Sequence, residues 1–260
     1  MRDPADHPAA EAAEGIAATA PDVVRGGPQV IPRPDGWRPG ARAPWAHLAA
    51  VDRRPSLADV RRTLGNAPAA RPVAVEAEGV RASAVLAPIY EHEGEPHVVL
   101  TRRSWDLRSH RGEVSFPGGG WEPGDVDLVA TALRETCEEI GIAPDGIEVV
   151  GELDHLTTVS SRSFIVPYVG ILPGPPDTRP DPREVEEVLH VGLAELLADG
   201  VFHEEVWRRG AVERPIWFFE LVGDTVWGAT AAMLRQLLAV VTGTDPGPPL
   251  RPWDAPRGGR

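Results

Sequence analysis

Residues 134–142 read Arg134-Glu135-Thr136-Cys137-Glu138-Glu139-Ile140-Gly141-Ile142. On a helix, residues three and four apart share a face, so Glu135, Glu138 and Glu139 project together. Ala130, Leu133, Cys137 and Ile140 fall roughly opposite, at about 100° per residue. One side can therefore bury while the other carries three carboxylates. Like charges this close repel unless a cation neutralises them. Clustered hard oxygen donors suit Mg²⁺ or Mn²⁺, and those ions suit phosphate substrates. Taken alone, the same pattern also describes a solvated acidic helix face.

Upstream lies Phe116-Pro117-Gly118-Gly119-Gly120. Consecutive glycines allow positive φ and a close approach of main chain to a ligand. A glycine loop feeding a helix offers N–H groups or carbonyls to a phosphate or a metal. A triple glycine by itself is more often only a turn. An acidic helix following at this distance changes its weight.

The combination resembles the Nudix box, G-x5-E-x7-R-E-U-x-E-E-x-G-U, with U a bulky aliphatic residue. Arg134, Glu135, Glu138, Glu139, Gly141 and Ile142 match it. Asp125 stands where the box has Glu, eight residues rather than seven separate it from Arg134, and Thr136 replaces the first U. These departures resemble one Nudix subfamily, the coenzyme A pyrophosphatases, whose box has the extra residue and an Asp. That subfamily also carries L-L-T-x-R-[SA]-x3-R-x3-G-x3-F-P-G-G upstream. Here Leu100, Thr101, Arg103, Ser104, Arg108, Gly112, Phe116, Pro117, Gly118 and Gly119 fall in register, with Val99 for the first Leu. Gly120 stands where the subfamily often has Lys. The resemblance spans roughly residues 80–242.

It implies an α/β/α sandwich around a mixed sheet. It implies Glu135 and Glu139 as principal ligands of Mg²⁺ or Mn²⁺, with Glu138 sharing metal or water. A main-chain carbonyl at Gly119 or Gly120 would add a ligand. Arg134 would hold a catalytic glutamate by a bidentate pair. A carboxylate from outside the box can serve as general base, and Glu184 and Glu187 are the candidates, although either could be plain solvated charge. Arg102, Arg103, Arg108, His110 and Arg111 concentrate positive charge in an acidic chain. As a set they suit extra phosphates, with Arg103 and Arg108 leading; singly each is as readily a loop arginine kept for solubility. Gly118 and Gly119 complete the substrate-binding set. Asp125 is a helix cap or a catalytic group in equal measure, and Cys137 reads as a buried structural thiol. Trp217, Phe218 and Phe219 read as core.

The expected activity is metal-dependent hydrolysis of the diphosphate in coenzyme A or an acyl derivative, giving 3′,5′-ADP and 4′-phosphopantetheine. One alternative is a Nudix hydrolase of another nucleoside diphosphate derivative. Another is a non-catalytic nucleotide-binding regulator, against which the intact Arg134-Glu135 and Glu138-Glu139 pairs argue.

Length and composition set the frame. A chain of 260 residues with 42% hydrophobic content can bury a core in one or two domains. Its net charge of −13 disfavours a general nucleic-acid surface. No signal segment or membrane-length apolar run is visible, and the single cysteine excludes an internal disulfide. The expectation is a cytoplasmic enzyme with a small-molecule diphosphate substrate, no nucleic acid and no membrane partner, with a homodimer admitted.

Residues 1–44, rich in Ala, Pro and Gly, are expected to be largely disordered. A short helical segment and linker would cover 45–79, with Ser56 and Asp59 forming a capping box. The folded domain would run from 80 to 242, and a Pro/Gly tail from 243 to 260. Within the domain, strands are expected at Ala82–Tyr90, His97–Thr101, Ile147–Leu153, Phe164–Leu172, Val185–Val191 and Pro215–Leu221. Glu91–Pro96 reads as a hairpin loop. Helices are expected at Asp127–Ile140, Leu193–Leu197 and Thr230–Val241.

Overall fold

The computed structural model of the protein describes residues 24–72, 81–158 and 163–248. Along the chain run β1 (Arg38–Pro39), α1 (Leu57–Gly65), β2 (Arg81–His92), β3 (Glu95–Arg103), β4 (Val114–Ser115) and β5 (Gly118–Gly120). Next come α2 (Leu128–Ile140), β6 (Glu148–Glu152), β7 (Leu156–Thr158), β8 (Ser163–Ile171), β9 (Val185–Gly192) and α3 (Leu193–Leu196). The last elements are β10 (Phe202–Arg209), β11 (Val212–Glu220), β12 (Thr225–Trp227) and α4 (Gly228–Val241).

The larger sheet is mixed, in the order β4-β3-β2-β8-β6, with β5 on β2, β7 on β8 and β9 on β3. Its central pair, β2 and β8, is parallel from Arg81↔Ser163 to Ile89↔Ile171. Side chains alternate along these strands. Val85, Ala87, Ile89, Val98, Leu100, Val169 and Ile171 face one core, with α1, α3, α4 and β11. Ala84, Leu86, Val166 and Tyr168 face the other, under α2. A strand buried on both faces needs a continuous apolar run, and that is why residues 82–90 carry almost no polar side chain. Helices on both sides of a mixed sheet give the expected sandwich.

The second sheet is antiparallel, in the order β1-β10-β11-β12. Sequence reading finds β11 and misses β10. Its Phe-His-Glu-Glu-Val-Trp-Arg-Arg run hides the alternation because Glu205 points inward. That carboxylate accepts from Arg33 Nε at 2.8 Å and from Trp207 Nε1 at 2.7 Å. The β2–β3 hairpin is also tighter than expected. Pairing continues to His92↔Glu95, and only Glu93 and Gly94 turn, both with positive φ. The Ser56–Asp59 capping box forms reciprocally, at 3.2 Å and 3.0 Å.

The largest departure concerns the N-terminal region. Residues 1–23 lie outside the described residues, but 24–44 are folded onto the second sheet. Gly26 N donates to Leu221 O at 2.7 Å, Gly40 N donates to Glu204 O at 2.7 Å, and Arg38 pairs with Val206. The segment is fastened through main-chain groups and single polar side chains such as Gln29 and Arg33. Such contacts leave no apolar periodicity to detect. Residues 73–80 and 249–260 of the expected linker and tail also lie outside the described residues. Among the described residues no helix is long and apolar enough to cross a membrane.

Trp45 anchors this region to the core. It is 1% exposed and stands 5.4 Å from the Phe202 ring and 6.3 Å from the Phe219 ring. Trp45→Ala should lower the unfolding free energy by about 3–5 kcal/mol in denaturant titration, the scale of a large aromatic lost from a core. Wild-type stability in that variant would detach the segment from the domain.

Candidate active site

The carboxylate helix begins at Asp127, whose Oδ1 accepts Ala130 N at 2.7 Å. It ends at Gly141, in the left-handed region at φ 75°. Asp127, not Asp125, is the cap. The helix packs on β2 through Thr131, Ala132, Thr136, Glu139 and Ile140. This face is rotated from the expected one. Ala130, Leu133 and Cys137 are only partly buried, so the thiol is not the core residue periodicity suggested. Two threonines can face inward because their hydroxyls bond locally. Thr136 Oγ1 donates to Ala132 O at 2.7 Å, and Thr131 Oγ1 donates to Asp125 at 2.9 Å.

The rotation separates the three glutamates. Glu138 stays in solvent, its side chain 60% exposed. Glu139 is 4% exposed and accepts Gly118 N at 3.2 Å. Burial pushes its carboxyl up to about 8, against the opposing pull of that N–H and of Arg103. Glu135 is intermediate, and its carboxyl is also raised, chiefly by burial. The Glu184 charge also raises both groups slightly, so this exposed carboxylate lies within electrostatic reach of them. It is brought there by the loop before β9. Arg179 N donates to Ile140 O at 2.8 Å and Asp181 N to Glu139 O at 2.9 Å, satisfying carbonyls at the end of α2.

The glycines answer to contacts. A Cβ on Gly118, whose φ is +152°, would lie 2.4 Å from Ala84 O. A Cβ on Gly119 would lie 2.4 Å from Glu135 Oε1, so that carboxylate rests directly on the loop. Arg134 ties the two together. Its Nε and Nη2 donate to Asp125 Oδ1 and Oδ2, both at 2.9 Å. Its Nη1 donates to Glu135 Oε1 at 3.1 Å and Glu138 Oε2 at 2.9 Å, and Nη2 also donates to Gly120 O at 2.9 Å. All five N–H donors are engaged. The bidentate partner is thus Asp125, not a glutamate, and the guanidinium holds that carboxyl well below the usual range. Nothing in the sequence separates this clamp from a simple cap.

Neighbouring arginines on β3 face opposite ways, as strand residues do. Arg103 lies toward α2. Its guanidinium makes no hydrogen bond or ion pair among the described residues, and its Nε is buried. Arg102 points to the second sheet, donating to Asp224 Oδ2 at 2.9 Å and pairing with Glu187. Glu187 is therefore a partner of Arg102 and does not join the carboxylate pair. Arg108 and Arg111 are exposed, and His110 pairs with Glu113 at 2.9 Å. Trp217, Phe218 and Phe219 are core, as expected.

Among the described residues, no three His, Cys, Asp or Glu side chains converge tightly enough to hold a metal as they stand. The chemistry of the donors nevertheless fits a hard divalent cation. Burial raises the Glu139 carboxyl, and to a lesser extent that of the half-buried Glu135, above the ordinary range, a cost that a bound cation would offset.

A mixed sheet between helices, with an acidic helix clamped by arginine under a glycine loop, defines a Nudix fold. Residues 80–209 match the family described as NUDIX domain, and the chain belongs to it. It is a hydrolase of that family. It is 40% identical to the uncharacterized Nudix hydrolase NudL of Photorhabdus laumondii subsp. laumondii, over 60% of this chain and 83% of that protein. The uncharacterized NudL of Escherichia coli O1:K1 / APEC is 39% identical over 60% of this chain and 81% of its own. A solved MutT/nudix family protein from Enterococcus faecalis superposes with a TM-score of 0.45 at 18% identity, covering 63% of this chain and 62% of that one.

A lysine at position 134 has three donors on one nitrogen and cannot reproduce the fork. Arg134→Lys should cut kcat by about ten-fold or more, the scale of one or two lost charge-assisted hydrogen bonds. Wild-type turnover in steady-state kinetics would mean the clamp is dispensable.

Proposed function

We propose that this protein hydrolyses the diphosphate of coenzyme A or an acyl-coenzyme A, with Mg²⁺ or Mn²⁺. The products would be 3′,5′-ADP and 4′-phosphopantetheine or its acyl form. The observation that carries the reading is Arg103, whose guanidinium makes no hydrogen bond among the described residues yet acts on the buried Glu139 carboxyl, one helical turn from the half-buried Glu135. A cation for the substrate's phosphates and acids for a metal then lie in one place. The preference for coenzyme A rests on the upstream run from Leu100 to Gly119, including Arg103 and Arg108.

Glu135 and Glu139 would hold the metal, with Glu138 and the Gly119 carbonyl as further oxygens. When bound, the metal neutralises phosphate charge and acidifies water. Arg134 keeps Glu135 and Glu138 oriented. Glu184, exposed and within electrostatic reach of Glu135 and Glu139, is the candidate to take the proton from the attacking water. Glu187 is withdrawn from that role because Arg102 engages it. Arg103 would meet the substrate's phosphates, and Arg108, free on the loop, a more distant one. Catalysis is then mostly positioning and charge neutralisation.

A panel of coenzyme A, dephospho-coenzyme A, a nucleoside diphosphate sugar and a dinucleoside polyphosphate tests the reading. Coenzyme A should be cleaved to the two named products by mass, with no turnover in excess chelator and recovery on adding Mg²⁺ or Mn²⁺. Full activity in chelator would overturn the metal role. Cleavage of the sugar substrate alone would overturn the coenzyme A assignment and keep the chemistry.

Glu139→Gln should lower kcat by about two orders of magnitude or more, the scale of a lost electrostatic catalyst. The fold should hold, although not because the residue faces solvent. The amide is isosteric, its oxygen can still accept Gly118 N, and it removes a buried acid. A melting temperature at or above wild type with lost activity is the expected pair of results. Wild-type turnover would refute the assignment.

A further inference from the structure

We propose that Trp105 is a stacking shelf for the nucleobase of the substrate. The inference rests on the diphosphatase reading above and adds a binding subsite to it. Trp105 lies in the turn between β3 and β4, two residues beyond Arg103. A Cβ on Gly112 would lie 2.3 Å from its Cη2 and 2.5 Å from both Cζ2 and Cζ3. Near-equal distances to three consecutive ring atoms put Gly112 over the face of the ring, not at its edge. One face is therefore seated on main chain, where only glycine leaves room, and the opposite face is turned away from that seat. The residue is 36% exposed, and its indole N–H has no acceptor among the described residues.

The seat is fixed from below. Gly112 is buried with φ +67°, and its N–H donates to Arg103 O at 3.1 Å. Gln29 Nε2, itself buried, donates to Gly112 O at 3.0 Å and to Asp224 Oδ1 at 2.7 Å. The Gln29 Oε1 accepts Thr225 N at 2.8 Å. The residues flanking Trp105 are held too. Ser104 N donates to Glu184 O at 2.8 Å, and Asp106 N donates to Ser104 Oγ at 3.3 Å. Along the chain this flat aromatic surface stands between Arg103 and Arg108, whose guanidinium groups make no hydrogen bond or ion pair among the described residues, and next to Ser104, which contacts Glu184. A ligand with a planar ring joined to phosphates meets this arrangement; an aliphatic phosphate does not. Base–aromatic stacking tolerates any base and contributes substantially per contact.

The other exposed indole near the site, Trp121, is 47% exposed and donates its Nε1–H to Asp125 O at 3.2 Å. It has no arginine beside it in the chain, and it serves as the opposing arm of the test. The full-length protein would be titrated calorimetrically, in chelator, with AMP and with inorganic pyrophosphate. AMP has no diphosphate to cleave, and pyrophosphate has no base. Trp105→Ala should weaken AMP by about ten-fold or more and leave pyrophosphate within about two-fold. Trp105→Phe, which keeps a flat ring, should recover most of the loss. Equal losses on both probes, wild-type AMP affinity in Trp105→Ala, no AMP binding by the wild-type protein, or a selective loss in Trp121→Ala alone would each overturn the proposal. Turnover on the substrate panel separates the two ideas. A selective AMP loss without any diphosphatase activity keeps the shelf and removes the reaction. Activity with AMP affinity indifferent to position 105 removes only the shelf.

Discussion

The five-fold engagement of Arg134 is the contact on which the site depends. It joins the glycine loop through Gly120 O, the turn before α2 through Asp125, and the helix through Glu135 and Glu138. Without it the loop and the helix would be linked mainly by the sheet pairing of β5 and by one hydrogen bond from Gly118 to Glu139. The carboxylates around it would also repel one another with no fixed cation nearby. A guanidinium can satisfy this many acceptors because its donors are planar and pre-arranged.

Glu139 shows what such a site costs. A carboxyl buried to 4% exposure, with a single N–H for company, opposes folding unless it is protonated or neutralised. Its elevated proton affinity, and that of Glu135, record this tension in the absence of added charge. Stability lost at a functional site is commonly recovered elsewhere. Here the recovery is visible in the apolar cores on both faces of the sheet and in the aromatic cluster of Trp45, Phe202 and Phe219.

A second polar node couples the site to the rest of the molecule. Asp224 is buried and receives both Arg102 and Gln29. Through these contacts the second sheet, the N-terminal segment and the loop after β3 share one fixed point. Buried polar contacts of this kind favour one arrangement of elements rather than merely adding attraction, although Arg102 Nε finds no hydrogen-bond partner among the described residues. The segment 24–44, outside the region matched to the family, is in this way a support of the end of β3 and the loop after it, which carry Arg103, Trp105 and Arg108.

The sandwich, the carboxylate helix and the glycine loop were legible because each leaves a periodic or compositional trace. The run 82–90 is apolar on both faces, the spacing of Glu135, Glu138 and Glu139 is helical, and three glycines precede them. Periodicity placed the helix but not its rotation, so Glu139 read as facing away from the core and Cys137 as buried in it. Thr131 and Thr136 decided otherwise by satisfying their own hydroxyls. The split between Glu184 and Glu187 was equally out of reach. Both are acidic residues near one strand start, and only the pairing of β3 with β9 sends Glu187 to Arg102, while Glu184 stays exposed in the loop before β9. The sequence by itself determined which chemical groups exist and which elements carry them, because those follow from local spacing. Tertiary structure alone decided which charges meet, since burial and ion pairing depend on partners brought together from distant parts of the chain.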